Sequence, residues 1–322
     1  MSMSLPSYRQ LPISPDKPPR SAWGVWGDDD QLGTMNLLTV ERAQRGLALA
    51  KRGAIFPLNW NLEQPFPPFY GRKPLVHHID RPVPGHPLLD DSMDSFFTQA
   101  SSQWDALCHV GNPDYGFYNG RKDEDFTGEE GTLNGIEHIS RKGIVGRGVL
   151  LDIARHWASL GKSLDGGECV EFTVADVEAC RKAQGVEIET GDILILRTGW
   201  MEWYLKASAE VKQGLAEDSL ARLKTPGLAG DESVAEYLWD LHISAVAADN
   251  PALEAWPHKL EIDHYLHYRL IPLLGMTLGE MFFIEDLASD CAEDGVYDFC
   301  FTSAPLNLRG GVGSPPNALA IK

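Results

Sequence analysis

Asp105 and His109 stand four residues apart in the stretch Gln99-Ala-Ser-Ser-Gln-Trp-Asp-Ala-Leu-Cys-His109. A carboxylate and an imidazole that face one cavity can hold a metal ion, or pass a proton to and from a substrate. The same spacing also serves as a structural pair, and the two residues alone do not separate these readings. If the stretch is a strand, its period of two puts Gln99, Ser101, Gln103, Asp105, Leu107 and His109 on one face. Gln103 and Gln99 are then expected beside the same cavity, where a carboxamide binds substrate or water. Cys108 invites a nucleophile reading. On a strand, however, it points away from His109, and buried cysteines are commonly inert.

Two further groups carry chemistry. His264 and His267 lie three apart, on one face of the helix expected over 263–275. Glu280 and Glu285 interrupt the otherwise apolar run 276–287, which reads as a strand, and an acid in such a run is costly to bury unless paired or metal-bound. His77 and His78 are neighbours whose side chains point to opposite faces of a strand, so they do not share a metal. They are read as surface or substrate-loop residues, His156 as a pocket or surface residue, and His258 as a loop residue. Trp23, Trp26, Phe66, Phe69 and Trp104 suit a planar or aromatic ligand, and suit an aromatic core equally.

The elements that position these groups alternate. Thr39 caps a helix ended by Gly53, and 54–60 reads as a strand. Glycines bracket the apolar runs 146–154 and 191–199, which read as buried strands. Between them, Thr173 starts a helix that Gly185 stops. A helix at 233–241 leads into a third strand at 242–249. This order implies α/β layering with a partly parallel sheet. Residues 1–22, rich in Ser and Pro, read as an arm on the body or on a neighbouring subunit. Residues 111–142 read as a long functional excursion, and the tail 305–321 as a turn and a closing strand.

The 322-residue chain carries 46 acidic against 28 basic side chains, a net charge of −18. No basic cluster interrupts this balance, which argues against nucleic acid and anionic membranes as partners. Five widely spaced cysteines without a CxxC suit a reducing compartment, and no apolar run spans a bilayer, so a cytoplasmic location is expected. Neither a phosphate-binding loop nor a GxGxxG unit is present, so nucleotide use has no support.

These residues resemble the cyclase family of metal-dependent hydrolases, which includes bacterial kynurenine formamidases and isatin hydrolases. That family carries a His-x-Gly-Thr-His-x-Asp-x-Pro-x-His motif. Here Asp105 and His109 stand in place, Gln99 and Gln103 replace the first two histidines, and Leu107 replaces the proline. The Gln-Trp-Asp form is similar to a divergent branch. Gly146–Asp152, Gly191–Trp200, Ala248-Asp-Asn-Pro251 and the pair His267 and Glu280 also look like family stretches.

The resemblance implies a single catalytic domain over 23–322, with a mixed β-sheet flanked by helices in a swivelling β/β/α arrangement. It implies one divalent ion, zinc or manganese, on Asp105, His267 and Glu280, with His109 as the proton-transfer residue. Gln103, Gln99 and Trp104 are assigned to the substrate. The implied reaction is hydrolysis of the C–N or C–O bond of an amide or lactone in a small substrate, aromatic ones included, by a homodimer or homotetramer. Loss of two ligand histidines leaves an alternative: a metal-free cyclase, dehydratase or isomerase using Asp105 and His109 as its acid/base pair.

Overall fold

A computed structural model describes residues 5–127, 133–257 and 264–322. Its centre is a nine-stranded mixed sheet. In spatial order the strands are Ile55–Pro57, Ala318–Ile321, Asp298–Ser303, Ile144–Asp152, Ile193–Arg197, Ala245–Ala248, Thr277–Glu280, Gln103–Asp105 and Gly313–Ser314. Four neighbours, from Ile144–Asp152 to Thr277–Glu280, run parallel; the flanking strands are antiparallel. Helices supply the crossovers between parallel strands, as short hairpin turns cannot.

The parallel strands are buried along nearly their whole length, which accounts for apolar runs without alternation. Thr39 and Thr173 start helices as the sequence marks them, but the first stops at Leu47, well short of the expected end at Gly53. Thr39 caps Val40–Leu47, Thr173 caps Val174–Gln184 with Gly185 left-handed at its end, and Asp231 caps Glu232–Asp240. Leu194, Leu196, Val246 and Leu278 pack towards one helical layer, and Ile193, Ile195, Ala245 and Ala247 towards the other. Residues 6–11 pack onto the body: Tyr8 and Leu11 are buried, and Trp239 donates its indole N–H to the carbonyl of Pro6 at 2.9 Å.

Several expectations need correction. The stretch 99–109 is not one strand: only Gln103–Asp105 is extended, and His109 is reached through a turn closed by its N–H on the carbonyl of Ala106 at 3.0 Å. The expected helix at 263–275 is a single turn, His267–Leu270, and Asp263 lies outside the described residues. The apolar run from 276 splits into the strand Thr277–Glu280 and a helix, Glu285–Asp294. The excursion 111–142 ends in a helix of its own, Ile136–Lys142, and residues 128–132 of it lie outside the described residues.

Trp104 is not a pocket residue. It is fully buried among Phe282 and Phe301, its ring centroid 4.9 Å from that of Phe282, and its N–H donates to Ser303 Oγ at 2.9 Å. Alternation along the strand explains this, because Gln103 and Asp105 point one way and Trp104 the other. Gly279 sits opposite it in the adjacent strand, where a Cβ would come within 2.9 Å of the indole. Replacing Trp104 with alanine is expected to cost about 3–5 kcal/mol of stability, the range for emptying a packed aromatic site. Denaturant unfolding checks this, and a midpoint unchanged from wild type would contradict the packing described.

Candidate active site

The site lies at the end of the sheet where the strands Gln103–Asp105 and Thr277–Glu280 pair. Their register sets Glu280 directly across from Gln103, and Asp105 two residues on shares that face. The Gln103 carboxamide N–H donates to Glu280 Oε2 at 2.6 Å and lies 3.3 Å from Asp105 Oδ1. His267, at the start of its short helix, brings Nε2 to 3.1 Å from Glu280 Oε1 and 3.7 Å from Asp105 Oδ2. Asp105 is 0% exposed, His267 3% and Glu280 6%. One donor atom from each of the three falls within 4.8 Å of the others.

Behind His267 stands a group that the sequence did not single out. Glu254, fully buried, places both carboxylate oxygens 3.0 Å from His267 Nδ1. The loop that carries it is held by Asn250, whose carboxamide donates to the carbonyls of Pro226 at 2.8 Å and Glu254 at 3.1 Å. A carboxylate on Nδ1 fixes the imidazole's tautomer and leaves Nε2 facing the other two acids. The sole sequence signal for Glu254 is its place three residues after Ala248-Asp-Asn-Pro251, in an apolar context where an acid needs a partner.

The charges here perturb one another. Burial alone pushes the His267 pKa down, but the Glu254 carboxylate, with Tyr265 and Asp105, outweighs it and holds the group well above its ordinary value. Burial, then the neighbouring Asp105 charge, raises Glu280 to about 7. His109 has Nε2 3.7 Å from Asp105 Oδ1 with its side chain 27% exposed. Burial lowers its pKa, against the pull of Asp105, so the neutral imidazole is favoured.

The donor set fits a divalent cation. Two carboxylates and an imidazole are the N/O ligands such ions take. Asp105 Oδ2 is buried without a hydrogen bond among the described residues, and so is Gln103 Oε1. Gln99 is not among the groups in contact with the trio. Its amide lies beside Gly313, which pairs with Asp105 through the backbone, and its oxygen accepts from Thr98.

The rival candidates are accounted for. Glu285 binds Arg197 at 2.7 Å. Cys108 is buried against the carbonyl of Gly311, and burial pushes its thiol up to about 12. His264 is exposed, and His258 lies outside the described residues. His77 and His78 sit on an exposed hairpin, Val76–Asp80 with Asp90–Asp94, each 2.9 Å from an aspartate. His156 lines a separate cavity of about 340 Å³ with Asp152, Gln184 and Tyr297. Trp23, Trp26 and Phe69 pack into the body, and Phe66 is exposed.

Three side chains around the acids were also missed in the sequence. Tyr70 and Arg72 lie close enough to Glu280 to feel its charge, and Arg72 also feels that of Asp105. Tyr265 stacks on His267 with ring centroids 4.8 Å apart.

This architecture is that of the Cyclase family, whose pattern matches residues 50–255, and the chain belongs to that family. A solved structure described as a novel cyclase is 33% identical over 94% of this chain and 99% of that one, with a TM-score of 0.81. An isatin hydrolase bound to the product analogue thioisatinate is 15% identical over 88% of this chain and 98% of that one (TM-score 0.60). Isatin hydrolase A from Labrenzia aggregata is 18% identical over 83% and 93% (TM-score 0.56). At those identities the likeness to the isatin hydrolases is one of fold. No curated protein matches the sequence. Among the described residues, no helix is long and apolar enough to cross a membrane.

The Glu254–His267 contact makes a prediction. Glu254→Gln keeps the shape and an acceptor but removes the charge behind the imidazole. Affinity for a divalent ion, measured by titration calorimetry with zinc or manganese, is expected to fall about 10- to 100-fold, the usual effect of losing an outer partner of a ligating histidine. Unchanged affinity in a folded variant would separate Glu254 from the metal site.

Proposed function

We propose that this protein is a metal-dependent hydrolase that opens the C–N or C–O bond of an amide or lactone. One observation carries the reading: Asp105, Glu280 and His267 Nε2 converge in a buried cluster, with His267 fixed from behind by Glu254. His109 stands next to that cluster. Neighbours of the same fold are described as isatin hydrolases, which supports a hydrolytic reading.

A divalent ion held by Asp105, His267 and Glu280 would supply Lewis acidity for a substrate carbonyl and for water. The residues do the rest. His109, neutral and beside Asp105, takes a proton from the attacking water as the new C–O bond forms. It returns that proton to the nitrogen or oxygen that departs as the scissile bond breaks, so the products are a carboxylic acid and an amine or alcohol. Asp105 Oδ1 is placed to stabilise the imidazolium between the two transfers. Gln103 holds Glu280 and Asp105 in position through its carboxamide N–H.

A second reading has one observation behind it. Gln103 satisfies part of both carboxylates itself, so Asp105 and His109 could run a metal-free proton transfer for cyclisation, dehydration or isomerisation. Metal content separates the two. Elemental analysis is expected to find about one divalent ion per chain, and chelation is expected to abolish hydrolysis of an amide and lactone panel. A metal-free preparation with chelator-resistant activity would replace the first reading by the second. His109→Ala is expected to lower turnover by roughly two to four orders of magnitude, with an unchanged circular dichroism spectrum. Near-normal turnover would remove His109 from the chemistry.

A further inference from the structure

The segment Phe69-Tyr-Gly-Arg72 packs against Trp256, two residues after Glu254, in an unusual conformation. Tyr70 and Gly71 both have left-handed backbone, at φ 59° and 68°. A bulky aromatic at positive φ is uncommon, and residues so held cluster at functional sites. The turn is pinned from both ends. The N–H of Tyr70 donates to Ser219 Oγ at 2.9 Å, and the N–H of Arg72 donates to the carbonyl of Phe69 at 3.3 Å. The Tyr70 ring packs edge-on against Trp256 with centroids 5.6 Å apart, and the Arg72 guanidinium lies 5.2 Å from the Tyr70 centroid.

The turn thereby presents two donor groups without acceptors. Among the described residues, no carboxylate pairs with Arg72, and neither its guanidinium nor the Tyr70 hydroxyl makes a hydrogen bond. The nearby acids are engaged elsewhere: Glu254 on His267, Glu280 on His267 and Gln103, and Asp105 beside Gln103 and His109. Arg72 is partly withdrawn from water, and that burial lowers its pKa despite the attraction of Glu280 and Asp105. A half-buried guanidinium that no carboxylate of the described residues answers, its nitrogens still open to water, is a ready fork for a carboxylate.

We propose that Arg72, with the Tyr70 hydroxyl, is the subsite for a carboxylate that the substrate carries apart from its scissile bond. The substrate class narrows to amides or lactones with an acidic group. The rings of Tyr70, against Trp256, and of Tyr265, stacked on His267, favour a flat body for that substrate. This inference rests on Asp105, His267 and Glu280 being the reaction centre, but its test reads binding and not turnover.

The probes are benzoate and benzamide, equal in shape and different in charge, titrated calorimetrically against the full chain before and after chelation. Chelation matters because benzoate also binds metal ions directly. The expected result is that the chelated protein binds benzoate about 10- to 100-fold more tightly than benzamide, the scale of a charged, forked hydrogen bond. Arg72→Gln is expected to erase that preference, Arg72→Lys to keep part of it, and Tyr70→Phe to weaken benzoate by a few fold. His109→Ala is expected to keep the preference in full, so absence of turnover does not imitate failure of the subsite. Equal binding of the two probes after chelation, or a preference that survives in folded Arg72→Gln, would overturn the assignment.

Discussion

The site depends on holding three carboxylates, Asp105, Glu254 and Glu280, around one imidazole almost out of contact with water. Like charges in such a setting repel strongly, and burying each is costly without compensation. His267 supplies the compensation by using both ring nitrogens. Nδ1 meets Glu254, and Nε2 faces Glu280 and Asp105. A proton or a cation at the Nε2 side answers the same electrostatic need, which is why the arrangement suits an ion.

The fold answers that need with rigid parts. Asp105, Gln103 and Glu280 come from paired strands whose register leaves no freedom for one acid to drift from the other. The neighbouring parallel strands tie this edge to the core of the sheet. Asn250 braces the loop bearing Glu254, and Asp249 just before it accepts from Thr198 and Gly199, ahead of the helix Trp200–Lys206, at 2.6 to 3.0 Å. Consecutive residues thus anchor two layers, one through a helix start and one through the acid behind His267.

Much of this was legible in the sequence, for identifiable reasons. Capping residues and stop glycines act locally, so the helices at 40–47 and 174–184 start at Thr39 and Thr173 and the second stops at Gly185, while the first ends short of the expected Gly53. Strands buried on both faces read as unbroken apolar runs. The failures came from non-local causes. Strand alternation predicted the shared face of Gln103 and Asp105, but where the strand stops is set by pairing with Gly313–Ser314 and Thr277–Glu280, which no window around 99–109 contains. Trp104 looked like a ligand platform because an aromatic beside a candidate acid is the same in either role until the opposite face is known. Glu254 was invisible for a similar reason, since its partner lies thirteen residues on. Arg72 sits beyond a backbone turn whose left-handed tyrosine has no sequence signature.

The glutamine at 103 has a physical consequence beyond the loss of an imidazole. Its carboxamide is neutral at every pH, so it donates to Glu280 and approaches Asp105 without titrating. A histidine in that place would change charge near neutrality, beside Asp105 and a Glu280 whose pKa is already raised. The carboxamide instead gives the acids a fixed dipole and leaves its oxygen buried and free of hydrogen bonds among the described residues. The inner face of the site is therefore richer in oxygen than a pair of imidazoles would make it. Harder cations prefer such a face, and any ion there depends correspondingly more on His267 for its one nitrogen donor. That dependence places the weight of the site on the Glu254–His267 contact, the one feature that keeps the imidazole turned the right way.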